Sequence, residues 1–207
     1  MNNPVCLVSG SSSGIGSAIV RRFAAQGYDV TVHYNSGKDP SDPRSHKKPG
    51  AERATVIADE IHQEHGVEAI ALGADLGQPE AAFDLVDRTH EHFGRLDTVV
   101  SNSGVTNFVV DEAGKAVRYR FHETPIKHLA KEMDRVLSIN LMGAYRLCQR
   151  SLKLMMDQAE QDRQRGEEPR HRSILFVGSI SDVAPDSMRI PYGVSKAAED
   201  LLGWQYH

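Results

Sequence analysis

The chain has 207 residues, of which 40% are hydrophobic and 25% are charged, and its formal net charge is −4 at pH 7. A chain of this length buries about 70% of its unfolded surface, which excludes disorder and predicts a single domain over residues 1–207. Its 24 lysines and arginines do not outnumber its 28 aspartates and glutamates, so no basic excess indicates a nucleic acid or an anionic membrane as partner.

Short apolar runs alternate with amphipathic helical stretches, which is the βαβ pattern of an α/β fold with a parallel sheet. The predicted strands cover residues 5–9, 29–34, 67–72, 96–101 and 174–177. The predicted helices are one that ends at Gly27, two over about 51–65 and 79–93, one long helix over about 126–156, and a last one that begins near Pro191. Residues 37–50, 105–125 and 157–172 break this pattern and are expected to be surface loops.

The two cysteines, Cys6 and Cys148, fall in an apolar run and a predicted helix, which favours buried thiols and a reducing compartment over a disulfide framework. The first residues are too few and too uncharged for a signal sequence. No apolar run approaches the roughly 20 residues of a membrane span, so we expect a cytoplasmic protein with no membrane partner.

A glycine-rich segment joins the first strand to the first helix. A bend at this point needs residues without Cβ atoms, so that backbone amides and the positive helix terminus come close to a pyrophosphate. An ordinary Gly/Ser loop is the alternative, but the flanking strand and helix favour a dinucleotide site. The candidate cofactor-binding residues of this segment are Gly10, Ser12, Ser13, Gly14, Ile15 and Gly16.

A second pattern, Tyr-x-x-x-Lys, places Tyr192 and Lys196 on one face of the last predicted helix. A phenol with an ordinary pKa of about 10 exchanges protons poorly at neutral pH, and a nearby ammonium favours its ionised form. The alternative is an aromatic core residue beside a solvated lysine. The spacing by itself arises by chance in many chains.

These motifs together resemble the short-chain dehydrogenase/reductase family, classical type. The spacing of Gly10, Gly14 and Gly16 is the family's Gly-x-x-x-Gly-x-Gly pattern, and Asp75-Leu76 is similar to its acidic position near the adenine ring. Asn102 and Gly104 lie in Ser-Asn-Ser-Gly, where the family has Asn-Asn-Ala-Gly. Ser101 and Ser103 depart from that pattern, as Ser9 departs from the usual threonine.

The resemblance also implies two further catalytic residues. Ser179 precedes Tyr192 at the family's distance and follows the fifth predicted strand, where the family places the serine that holds the substrate oxygen. Asn140, within residues 139–143, resembles the family's fourth catalytic member. An asparagine in the middle of a helix is otherwise unfavourable and could face solvent, but its apolar neighbours favour a buried polar group.

The resemblance implies a three-layer, Rossmann-type, doubly wound sheet in the order 3-2-1-4-5 and an NAD(P)-dependent oxidoreductase that reduces a carbonyl or oxidises an alcohol. Tyr192 would be the general acid/base, Ser179 would bind the substrate oxygen, Lys196 would assist Tyr192 and bind the nicotinamide ribose, and Asn140 would anchor a water. The cofactor-binding residues would also include Tyr192 and Lys196. The partners would be a small-molecule carbonyl or alcohol and, in a full-length form, further copies of the same chain.

NADP is favoured over NAD, which stays possible, because no acidic residue ends the second strand. Asn35 and Ser36 can donate hydrogen bonds to a 2′-phosphate, and Lys38 or Arg44 would add positive charge. The second strand looks most similar to that of 3-oxoacyl-carrier-protein reductases, a pattern shared with sugar, steroid and pterin enzymes.

The resemblance further implies that the family's last strands are missing after the Tyr-Lys helix, so that the 207-residue chain is expected to be weakly stable or self-associating, with little turnover. The alternative functions are therefore a truncated, inactive nucleotide-binding fragment or subunit, or a nucleotide sensor. Among ten histidines, the pairs His62 with His65 and His90 with His92 lack further ligands at defined spacing, so no metal site is expected.

Overall fold

The computed structural model describes residues 3–37, 50–111, 113–184 and 186–205, without the side chain of Lys127. Its elements, in chain order, are β1 (Val5–Val8), α1 (Gly14–Ala24), β2 (Asp29–Asn35), α2 (Gly50–His65), β3 (Ala69–Ala74), α3 (Ala81–Phe93), β4 (Thr98–Ser101), β5 (Val109–Val110), β6 (Ala116–Val117), α4 (Ile126–Leu137), a π-helical segment (Ser138–Gly143), α5 (Ala144–Gln164), β7 (Ser173–Phe176) and α6 (Ile190–Trp204).

Five parallel strands form one sheet in the order β3-β2-β1-β4-β7. The predicted order 3-2-1-4-5 is confirmed, since β7 is the fifth strand of this sheet and β5 and β6 form a separate antiparallel hairpin. The register pairs Val5 with Asp29 and Cys6 with Thr98, so the carboxyl ends of the strands lie along one edge.

Two apolar clusters cover the two faces of the sheet. Val5 and Leu7 of β1 pack with buried residues of α3 and α5, whereas Cys6 and Val8 point to the opposite face and pack with α1 and α2. This alternation follows from the two-residue period of a strand. Helices on both faces explain why β1 is buried over its whole length.

The prediction of one long helix over about 126–156 is wrong in two respects. The π-helical segment Ser138–Gly143 interrupts it, and its last part, α5, extends to Gln164 through residues that were expected to form a polar loop. Polar side chains on the inner face of α5 find partners there: the Gln158 amide binds the backbone N–H and carbonyl of Leu96, and Asp162 accepts a hydrogen bond from Arg172 at 2.7 Å.

Two smaller differences concern β3 and the segment that follows β4. β3 runs from Ala69 to Ala74 rather than over 67–72, because pairing with β2 begins at Ala69 and the Val67 carbonyl accepts a hydrogen bond from His62. The expected loop over 105–125 contains the β5–β6 hairpin and a 3₁₀ turn, Phe121–Glu123.

Candidate active site

The residues that the sequence singles out lie at the carboxyl ends of the five parallel strands. In parallel α/β sheets this edge is where ligands bind. The glycine-rich loop follows β1, Asn35 ends β2, Asp75 follows β3, Asn102 follows β4, and Ser179 lies three residues beyond β7.

The glycine-rich loop needs its glycines for two different reasons. Gly10 and Gly14 have φ angles of +68° and +57°, in the left-handed region that side chains with a Cβ rarely adopt. A Cβ on Gly16 would lie 2.5 Å from the carbonyl oxygen of Gly10. The loop therefore folds back on the start of α1 with no room for a side chain.

The imidazole of His33, in β2, holds this loop against the end of β3. Its Nδ1 accepts a 2.8 Å hydrogen bond from the Gly10 N–H, and its Nε2 lies 3.1 Å from the carbonyl oxygen of Ala74. Because Nδ1 accepts, the proton of the neutral ring is on Nε2. The backbone N–H of His33 also donates to Ser11 Oγ, and its carbonyl accepts from the Ser12 N–H.

The N-terminus of α1 is open toward this edge. Ser13, Gly14 and Ile15 are exposed, and the Ser13 side chain makes no capping hydrogen bond. The first N–H groups of a helix have no intrahelical partner, so they suit an anionic group such as a pyrophosphate. The Arg53 guanidinium brings positive charge to the same loop, where its Nε donates to the Ser12 carbonyl at 3.4 Å.

The ends of β2 and β3 lie next to each other. Asn35 and Ser36 are exposed, and Asp75 accepts a 3.1 Å hydrogen bond from the Gly77 N–H. A Cβ on Gly37 would collide with the Asp75 carboxylate, so the chain leaving β2 passes directly over Asp75. Leu76 is buried in the core. Lys38 and Arg44 lie outside the described residues.

Ser9 links the glycine loop to the segment after β4. Its Oγ accepts hydrogen bonds of 2.9 Å from the N–H groups of both Asn102 and Ser103. The Asn102 side chain returns a hydrogen bond of 2.8 Å to the Ser9 carbonyl. The hydroxyl at position 9 therefore joins two loops of the site. Gly104, which follows, is exposed, and a Cβ there would lie 3.6 Å from Asn140 Oδ1.

Asn140 lies in the π-helical segment, fully buried, as the sequence predicts for a polar group among apolar neighbours. Its Oδ1 accepts from the Val105 N–H, and its Nδ2 donates to the Val105 carbonyl and to Ser195 Oγ, each within 2.9 Å. Ser195 Oγ in turn donates to the Tyr192 carbonyl at 2.7 Å. Asn140 thus fixes the first turns of α6, which carry Tyr192.

Tyr192 and Lys196 follow each other on α6. Tyr192 is half-buried, whereas Lys196 is buried and its Nζ donates to the Val177 carbonyl at 2.9 Å and to Glu199 Oε2 at 2.6 Å. Ser179 is half-buried, and its Oγ accepts a 3.2 Å hydrogen bond from the Ser181 N–H in a 3₁₀ turn, Ile180–Asp182. That turn packs against the start of α6.

An apolar cavity of about 170 Å³ lies beside the residue that precedes Tyr192. Its walls include Phe108, Val109, Met133, Met188 and Pro191. An engineered apolar cavity of about 150 Å³ holds benzene, so this one has room for a group the size of one six-membered ring.

Sequence reasoning missed three polar residues of this edge: His33, Arg53 and Glu199. His33 sits in an otherwise apolar strand, and Glu199 lies three residues after Lys196, which puts both side chains on one helical face. Both positions could have been noticed as polar residues in buried places. Arg53 could not be noticed in this way, because it is one of several charged residues of α2 and nothing in the sequence distinguishes it from those on the outer face of the helix.

Within residues 3–37, 50–111, 113–184 and 186–205, no three His, Cys, Asp or Glu side chains are grouped to hold a metal ion. In the same ranges, no helix combines the length and the apolar character needed to cross a membrane.

The sequence of the chain matches a known protein family and individual members of it. The sequence model described as short chain dehydrogenase matches residues 4–203. The chain is 29% identical over 202 residues to glucose 1-dehydrogenase 2 of Bacillus subtilis, and 31% identical over 157 residues to versicolorin reductase 1 of Aspergillus parasiticus. These matches cover 98% and 76% of this chain, but 64% and 49% of those relatives.

A solved structure agrees with the sequence match. A short chain dehydrogenase from Burkholderia cenocepacia in complex with NADP is 28% identical and superposes with a TM-score of 0.71. The match covers 98% of this chain and 66% of that one. The chain therefore spans about two thirds of the length of that structure.

Proposed function

Because the chain belongs to the short-chain dehydrogenase family, we propose that it is an NAD(P)-dependent oxidoreductase that reduces a carbonyl compound or oxidises an alcohol. One observation carries the proposal: α6 carries Tyr192 four residues before Lys196, and Lys196 Nζ donates to the carbonyl of Val177, just beyond β7, on the sheet edge where the open N-terminus of α1 also begins. That arrangement supports a proton-transfer role for Tyr192 next to a bound dinucleotide.

The chain's own residues fit the dinucleotide. The N-terminal amides of α1, from Gly14 onward, would bind the pyrophosphate, with Ser12 and Ser13 beside them, and the exposed Ile15 would contact the cofactor. Asp75 would lie near the adenine, with Asn102 and Gly104 lining the neighbouring loop. The missing side chain at Gly16 supports this assignment, because a Cβ there would meet the loop backbone.

NADP is the proposed preference. Asn35 and Ser36 are exposed at the end of β2, where a carboxylate would repel a 2′-phosphate. Arg53 supports this preference, since its guanidinium lies at the glycine loop and α2 begins beside Asn35. The Burkholderia relative, which is a complex with NADP, supports it as well.

In the reductive direction, Tyr192 donates a proton to the substrate oxygen, and Ser179 donates a hydrogen bond to the same atom. When bound, the reduced nicotinamide supplies the hydride. Lys196 would bind the ribose hydroxyls through the N–H that its bonds to Val177 and Glu199 leave over. Asn140 would anchor a water through one of its oxygen atoms, because both of its amide protons are already donated.

The substrate is a small-molecule carbonyl or alcohol, and the family assembles as oligomers, so we propose a homo-oligomer. The 170 Å³ apolar cavity beside Pro191 supports a substrate with a ring-sized apolar part. The similarity to glucose 1-dehydrogenase 2 keeps sugars among the candidates as well.

The decay of NADPH absorbance with a panel of cyclic ketones, linear ketones and aldoses tests this function. Substrate-dependent oxidation of NADPH is expected for at least one class. The competing function, nucleotide binding without turnover, predicts saturable NADPH binding and no decay above the substrate-free rate with any member of the panel.

A further inference from the structure

One of the proposed catalytic residues, Lys196, forms a buried ion pair with Glu199. Lys196 and Glu199 are three residues apart on α6, and their side chains are 4% and 1% exposed. The distance from Lys196 Nζ to Glu199 Oε2 is 2.6 Å. The roles assigned above do not include Glu199, although its carboxylate touches a residue that they need.

The Glu199 carboxylate is held from two sides. Its Oε2 accepts from Lys196, and its Oε1 accepts a 3.2 Å hydrogen bond from the hydroxyl of Ser101, the last residue of β4. Ser101 is one of the positions where the chain departs from the family's pattern. That departure supplies the hydroxyl that orients Glu199.

Lys196 needs a counter-ion at this place. Burial disfavours a charged amine, and a buried ammonium without a partner loses its proton or moves toward water. Its other acceptor, the Val177 carbonyl that follows β7, is uncharged. The neighbouring groups on α6 and the π-helical segment, Ser195 and Asn140, are uncharged too, and Tyr192 is the titratable group one turn away on the same helix.

We infer that Glu199 is a positioning residue for Lys196, which it keeps charged and correctly placed in the site. An ammonium has three N–H donors, and Glu199 and Val177 accept two of them. The third is left for the cofactor ribose, in the role that the proposed function gives to Lys196. The inference rests on that function only for the ribose contact, and not for the charge of the pair.

The electrostatics of the pair agree with this role. Burial raises the pKa of the Glu199 carboxyl above its ordinary value, and the charge of Lys196 and its hydrogen bond act against that rise, as does Ser101 to a smaller extent. Lys196 and Ser101 therefore limit the rise that burial imposes on the pKa of the Glu199 carboxyl.

The direct test follows the ionisation of Lys196 by NMR, in protein labelled with ¹³C at the lysine side chains and without cofactor. Lys196→Met identifies the resonance. In Glu199→Gln, which keeps the size of the side chain but removes its charge, Lys196 is expected to lose its proton about one pH unit or more below the parent. Glu199→Asp keeps the charge and is expected to stay closer to the parent.

A matched control comes from the exposed face of α5. Glu160 and Arg163 have the same three-residue spacing, but their side chains are about 60% exposed. Glu160→Gln is expected to leave the Lys196 titration unchanged. An unchanged Lys196 titration in Glu199→Gln as well would overturn the inference.

Replacing Lys196 instead of Glu199 tests the same pair, and this second test does not require Glu199→Gln to fold. In Lys196→Met, labelled at the glutamate carboxyls, Glu199 is expected to take up its proton at a higher pH than in the parent. An unchanged Glu199 titration would overturn the inference. Both titrations are measured without cofactor, so their outcome is independent of whether the protein turns over a substrate.

The ribose contact has its own readout. In Glu199→Gln, the Kd for NADPH is expected to rise about twofold or more, relative to the parent at the same pH, across the pH range in which the NMR titration of the variant shows Lys196 losing its proton. Identical pH dependence of the Kd in the two proteins would overturn this part of the inference. Failure of NADPH to bind the parent would contradict the proposed function instead.

Discussion

Gly10 and His33 are joined by a 2.8 Å hydrogen bond in which the Gly10 N–H donates to Nδ1 of the imidazole. The ring is 2% exposed, and Nε2 on its far side meets the Ala74 carbonyl. One side chain thus connects the loop after β1 with the end of β3. The shape of the proposed cofactor site depends on that ring being neutral, because a protonated Nδ1 cannot accept the Gly10 N–H.

We predict that His33 makes the fold sensitive to acid. Burial lowers the pKa of His33 from 6.5 to about 4, so the unfolded chain binds a proton before the folded protein does as the pH falls. The stability due to a neutral His33 is therefore present above about pH 6.5 and is lost progressively toward pH 4. Urea unfolding should show a loss of about 2 kcal/mol between pH 7 and pH 4.5 from this group.

Comparison with His33→Gln isolates this loss from other titrations, because the variant lacks the imidazole. The difference in unfolding free energy between parent and variant should shrink by that amount as the pH falls. The exposed His122 provides the control, since its side chain is 74% accessible and His122→Gln should follow the parent. A difference between parent and His33→Gln that does not change with pH would contradict this prediction.

Gly16→Ala should destabilise the protein, although alanine is the better helix former. Relief of glycine's helical penalty would stabilise by about 1 kcal/mol in open space. Here the added Cβ would lie 2.5 Å from the Gly10 carbonyl oxygen, and overpacking of this kind costs about 1–3 kcal/mol. A lower Tm and weaker NADPH binding are expected.

Gly178→Ala is the matched variant, since nothing lies within 4 Å of a Cβ there. Its Tm should remain near that of the parent. If Gly16→Ala melted at or above the parent temperature, the close approach of the loop to α1 would be disproved.

Arg53→Gln should weaken binding of NADP(H) more than binding of NAD(H). The two cofactors differ by a 2′-phosphate, and a nearby guanidinium interacts with that added charge. A loss of about 1.4 kcal/mol, or tenfold in Kd, is expected for NADPH at low salt. Arg163→Gln, on the exposed end of α5, should leave both constants unchanged. Equal losses for the two cofactors in Arg53→Gln would show that Arg53 does not read the phosphate.

The fold was largely predictable from the sequence because buried parallel strands are short, continuous apolar runs. β1 is a short apolar run that leads into a glycine loop, and its two-sided burial agrees with that pattern. The end of α5 was not predictable from apolar periodicity, because Gln158 and Asp162 occupy its inner face through hydrogen bonds. The π-helical segment likewise depends on contacts of Asn140 with residues distant in sequence.

The candidate site was predictable where a motif carries the chemistry. Gly10, Gly14, Tyr192 and Lys196 are recognisable from spacing, and Lys196 reaches the residue after β7 on the same sheet edge as the glycine loop after β1. The residues that position them, such as His33 and Glu199, belong to no recognisable motif. Their roles come from tertiary contacts across more than 20 residues, as between Gly10 and His33, or from the burial of a charge, as at Glu199, and the sequence shows only a polar residue in an apolar strand or on the same helical face as Lys196.

The central claim, that Tyr192 transfers the proton, is tested most directly by Tyr192→Phe, with turnover and NADPH binding measured on the same preparation. The account predicts that turnover of an accepted carbonyl substrate falls about 100-fold or more while the Kd for NADPH stays within about twofold, because only the proton-transfer group is removed. Tyr145→Phe, on α5, should keep both values. Turnover by Tyr192→Phe comparable with that of the parent would contradict the account.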